Sequence, residues 1–134
     1  MGSLRRLAVG MCLILLAPAP PICAQTLPTA NPLRLFATCT GRLSAVMEFH
    51  WLMQDKAADA TEGLRDQMTE LLAAVPQGDA VTAMDLRLQA KVAETALLSE
   101  AAFGQDLTRA GYARIRAQAL VGECTALLLA QARA

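Results

Sequence analysis

An all-α fold, a small up-down-up-down four-helix bundle stapled by one disulfide, is what three features of the sequence predict. The first is residue type: alanine and leucine supply 27 and 22 of the 134 residues, while aromatic residues make up only 4%. Good helix formers dominate and strand formers are sparse. The second is apolar periodicity at three- and four-residue steps in four successive segments. The third is a single pair of cysteines remaining downstream of an export leader.

The leader comes first. Arg5 and Arg6 precede the eleven-residue apolar stretch Leu7 to Ala17, and Pro18, Pro20 and Pro21 break it before Ile22-Cys23-Ala24. This reads as a cleavable secretory signal over residues 1–24, with Gln25 opening the mature chain. Eleven apolar residues fall short of the ~20 that span a bilayer. Residues 25–134 then form one domain with ten basic and twelve acidic groups. This near balance, without a basic run, removes the electrostatic basis for nucleic-acid binding, and the 54% hydrophobic content opposes disorder. The predicted location is periplasmic or secreted, and the arginine bias, 10 against 2 lysines, accompanies bacterial sequences.

Each helix carries its own signals. Asn31-Pro32 pairs an N-cap residue with proline at the first helical position, predicting a helix to about Gln54 with Phe36, Cys39, Leu43, Met47 or Val46, His50 and Met53 inward. Asp59 with Glu62 three residues on resembles a capping box, predicting a second helix to Val75, before Pro76-Gln77-Gly78. Leu64, Met68, Leu71, Leu72 and Val75 form its apolar face. A third helix is predicted from Asp79 to about Gly104, with Val81, Met84, Leu88, Val92 and Thr95 or Leu98 facing the core. Gly104-Gln105-Asp106 is read as a turn and Asp106 as the cap of a fourth helix to about Gln131, burying Ala113, Ala117, Leu120, Val121, Cys124, Leu127 and Leu128. Gly41, Ser44 and Ala45 are expected to lie against Ala113, Ala117 and Gly122, small residues allowing a close approach.

Short connections make neighbouring helices antiparallel, which brings the start of the first beside the end of the fourth. Cys39 and Cys124 then lie at similar height, and an oxidising compartment joins them.

Little points to catalysis. The mature segment lacks a nucleophile elbow, a Gly-rich phosphate loop, zinc-spaced cysteines and a haem-attachment motif, and it holds a single histidine, His50. The chain is therefore expected to be a non-enzymatic protein-binding or accessory module without a cofactor, its partner another periplasmic or envelope protein. Only a strongly perturbed carboxylate in a cleft, such as Glu48 near Arg42 or His50, would favour an enzyme.

Two surfaces are candidates for partner binding: Trp51, which falls off the core stripe of its helix, and an acidic line on the second helix formed by Asp59, Glu62, Asp66 and Glu70. Like charges at that spacing need counter-charge, from Arg65, from Arg87 and Lys91, from Arg109 and Arg116, or from another protein. The alternative function is a metal- or haem-carrying bundle using His50 with Met47 or Met53, since thioether plus imidazole suits Cu(I) or a haem iron. Met47 and Met53 lie roughly 120° apart around the helix, so all three cannot converge on one small ion.

Overall fold

The computed structural model describes residues 31–76 and 80–133. The expected leader over residues 1–24, and the residues 77–79 that include the expected helix start at Asp79, lie outside them. Among the described residues the chain is all-helical: α1 (Pro32–Leu52), α2 (Ala58–Ala74), α3 (Ala80–Phe103) and α4 (Leu107–Gln131). No helix among them is long and apolar enough to cross a membrane.

Local capping sets the helix ends. The Asn31 side chain accepts the Leu33 N–H at 3.0 Å, with Pro32 filling a position that needs no donor. Asp106 accepts the N–H groups of Thr108 and Arg109 at 2.9 and 3.1 Å. Those two bonds, that from Arg109 foremost, hold its carboxyl below the ordinary aspartate value. Gly104 is a true break between α3 and α4. Its N–H reaches back to the Glu100 carbonyl at 2.9 Å, and a Cβ there would run into that same carbonyl.

The start of α2 differs from the expected capping box. The helix opens at Ala58, so Asp59 lies inside the first turn, and its cap residue, Ala57, offers no side chain. Asp55 takes over: its carboxylate accepts the Ala57 N–H at 2.9 Å after Gln54 has turned the chain at φ 55°.

The core joins Phe36, Ala37, Cys39 and Leu43 of α1 to Met68 and Leu72 of α2 and to Cys124 and Leu128 of α4. The Cys39–Cys124 disulfide is present, with an S–S distance of 2.04 Å and Cα atoms 5.4 Å apart. Helix α1 occupies the centre. Its buried residues, including Thr40, Gly41, Ala45 and Met47, cover every side of the helix, as the middle of a bundle requires. It packs extensively on α3 and α2 and only lightly on α4, which leans mainly on α3, while the Cα traces of α2 and α3 stay more than 8 Å apart.

The inward face of α3 is the main departure from expectation. Val81, Met84, Leu88 and Val92 are exposed, each by half or more, and Thr95 is exposed as well. The buried positions are Ala83 and Glu94, flanked by half-buried Leu86, Ala90, Leu97 and Leu98. The cause lies on α1. Gly41 approaches the α3 backbone so closely that a Cβ would strike the Arg87 carbonyl and press on the Ala90 methyl. Only small side chains fit at that crossing, so Ala83 and Ala90 turn inward there, and Val81, Met84, Leu88 and Val92 turn outward. This also corrects the expected partner of Gly41, which is α3 and not the small residues of α4; a Cβ on Gly122 would meet nothing within 4 Å.

A test follows from this seam. Gly→Ala in an exposed helix interior raises stability by up to about 1 kcal/mol, and Gly63→Ala, with open space around it, is expected to do so. Gly41→Ala should instead lower stability by about 2 kcal/mol, because helix α1 must move off α3. Urea denaturation of both variants checks the opposite signs.

Candidate apolar groove

The C-terminal half of α1, the C-terminal half of α3 and α4 do not close on one another. Between them runs a groove of about 790 Å³, walled by Val46, Phe49, Leu98, Val121 and Leu129, with Ala117 and Gly122 leaving room along α4. The volume falls within the range of ligand sites, and the lining is mainly apolar, as such sites are.

Few polar side chains face the groove, and most are already occupied. Arg114 donates to the Ala101 carbonyl at 3.3 Å, and the Thr125 hydroxyl donates to the Val121 carbonyl at 3.1 Å. His50 Nδ1 lies 3.0 Å from the Thr61 hydroxyl, whose own proton goes to the Ala57 carbonyl at 2.9 Å. Because the one proton of that hydroxyl goes to Ala57, the bond to His50 is one in which Nδ1 donates.

Gln118 is exposed at the rim, and Glu94 is the buried exception. It is 1% exposed, and neither carboxylate oxygen has a hydrogen-bond partner. Burial pushes its carboxyl up from 4.5 to about 7, against the opposing pull of the Arg42 and Arg116 guanidiniums. A smaller cavity of about 300 Å³, bordered by Arg34, Thr38, Arg42 and Gln89, meets it from the other side. Buried, unpaired carboxylates are costly and rare, so one beside a groove marks a place where a ligand can act.

The sequence-predicted residues divide. Of the three candidate ligands on α1, His50 and Met53 line the groove, whereas Met47 is buried in the core at 4% exposure. Among the described residues no three His, Cys, Asp or Glu side chains are grouped to hold a metal. Trp51 is half exposed, and Leu52 and Met53 beside it are exposed too.

The acidic line is partly neutralised within its own helix. Arg65 reaches Asp66 at 2.7 Å and Glu62 at 3.6 Å, while Asp59 and Glu70 are exposed. Two of the other proposed counter-charges serve elsewhere: Lys91 pairs with Glu48 at 2.6 Å and Arg109 with Glu100 at 2.7 Å. Arg42, considered above beside Glu48, lies 3.5 Å from Glu123.

Apolar periodicity points to the opposite face of α3 as its core and so passes over Glu94. Its signal is the small-residue line Ala83, Ala90 and Ala101, on which Glu94 is the one acidic member at helical spacing.

These features define a class, a disulfide-bonded helical bundle with a lateral apolar groove. No protein family, curated protein or solved structure matches the chain.

Proposed function

We propose that this is an exported, non-enzymatic binding module whose receiving surface is the groove between α1, α3 and α4: Glu94 is a perturbed carboxylate in a cleft, but no second acid, base or nucleophile is hydrogen-bonded to it. The observation that carries the proposal is the apolar groove with the buried, unpartnered Glu94 carboxylate at its wall. Export through the 1–24 leader to a bacterial periplasm, or beyond it, agrees with the disulfide, since such bonds persist in oxidising compartments. An up-down-up-down course is supported by the cross-helix pairs. Glu48 with Lys91 follows Gly41 with Arg87 in the same sense along α1 and α3, whereas Arg109 and Arg116 of α4 come close to Glu100 and Glu94 of α3 in the reverse sense. Trp51, with Asp59 across the following turn, offers an adjoining surface for a periplasmic or envelope protein.

The groove is tested by titrating the protein with decanol and following backbone amide resonances. Shifts are expected at Val46, Leu98, Val121 and Leu129 and should vanish in Gly122→Phe, which fills the groove from an open position. Shifts scattered over the surface, or shifts that survive Gly122→Phe, would overturn the assignment.

A second role, as a carrier of haem or copper, is favoured by one observation: the His50 imidazole and the Met53 thioether line the same groove. In the same titration with haemin or Cu(I), that role requires uptake that His50→Ala removes.

A further inference from the structure

We propose that the guest of this groove is an alkylamine, its ammonium head seated on the Glu94 carboxylate and its chain lying along the apolar walls of α1, α3 and α4. The inference rests on the groove being the binding surface and adds the chemistry of its guest.

The head group follows from what the groove lacks. Arg114 and Thr125 donate to carbonyls of their own chain, and His50 Nδ1 donates to Thr61. Glu94 alone is both buried and without a donor. Arg42, on α1, leans toward Glu123, and Arg116 is exposed on α4; both act on Glu94 through their charge, without a hydrogen bond.

Three head groups can be compared. An anionic head brings a second negative charge to a buried one, which raises the desolvation cost. A hydroxyl brings one neutral donor. An ammonium brings three donors and a positive charge, and charge-assisted bonds are roughly twice as strong as neutral ones. The apolar wall then accepts the chain, and burial of each methylene adds about 0.8 kcal/mol.

Proton linkage gives this pairing a signature. With its carboxyl at about 7, Glu94 is largely ionised at pH 8 and largely protonated at pH 6. An ammonium guest therefore expels a proton near neutrality, and an uncharged guest does not.

Calorimetric titration of the full mature protein with decylammonium, decanol and decanoate decides the matter. At pH 8, decylammonium is expected to bind about tenfold or more tighter than decanol, the equivalent of one charge-assisted hydrogen bond. That ratio should fall at pH 6, with heats near pH 7 that depend on the buffer's ionisation enthalpy. It should approach one in Glu94→Gln. Equal affinity for decylammonium and decanol, or a preference that persists in Glu94→Gln, would overturn the head-group assignment while leaving the groove in place. Failure of all three probes to bind, with or without Gly122→Phe, would instead overturn the groove itself.

Discussion

Replacing Glu94 by glutamine is expected to stabilise the protein by about 3 kcal/mol above pH 7 and to change it little below pH 4.5. In the folded chain the Glu94 carboxyl titrates at about 7, against 4.5 for an ordinary glutamate. Between those values the folded state holds a proton that the unfolded state has released, so stability falls as pH rises through the window. The fall is complete above pH 7. A shift of this size corresponds to about 3 kcal/mol, a large share of the ~5 to 15 kcal/mol that holds a domain together. Glutamine cannot ionise, keeps the shape of the protonated acid and removes the window. The check is urea denaturation of both proteins at pH 4 and pH 8. A stability difference that is the same at both values would show that ionisation of Glu94 is not its source.

The cost of keeping this carboxylate is itself informative. Well-packed apolar replacements of buried charges are often neutral or stabilising, so an unpaired charge held in a wall of alanine and leucine asks for a use. A cationic guest would convert the cost into binding affinity.

Opening the Cys39–Cys124 bond is the second large effect. The bond closes a loop with a sequence separation of 85, and in the chain-entropy model its loss costs roughly 4 to 5 kcal/mol. Packing makes the loss local as well as global. Helix α4 rests chiefly on α3 and touches α1 and α2 only lightly, so the disulfide is its main tie to the central helix. In Cys39→Ser/Cys124→Ser, or in reduced protein, the guanidinium midpoint should drop markedly, and amides of α4 near Cys124 should lose hydrogen-exchange protection first. A change below about 1 kcal/mol would mean that helix packing alone holds α4 in place.

Much of this architecture was legible from short-range signals. Asn31-Pro32, Gly104 and Asp106 mark helix ends through bonds that span four residues or fewer, and each acts in the structure as its residue type requires. The stripes of α1, α2 and α4 were legible for a similar reason, since each helix has one markedly apolar line that includes Leu43, Met68 or Cys124. Beyond Met47 the α1 stripe reaches the surface, with His50 half-buried and Met53 about half exposed, because the groove leaves that end of the helix uncovered.

Helix α3 separates what the two levels decide. The sequence by itself determined the helical content, the helix ends set by side-chain caps and the pairing of Cys39 with Cys124, because these depend on neighbours along the chain or on elimination. Tertiary structure decided which face of α3 turns inward. That face carries the less apolar side chains, and it was chosen by the distance between two helix axes, set at Gly41 against Arg87. At the Gly41 crossing itself alanine fits and larger aliphatics do not, so Leu86, Leu97 and Leu98 sit half-buried at its edges while Val81, Met84, Leu88 and Val92 face outward. The burial of Glu94, and the groove it faces, followed from that choice.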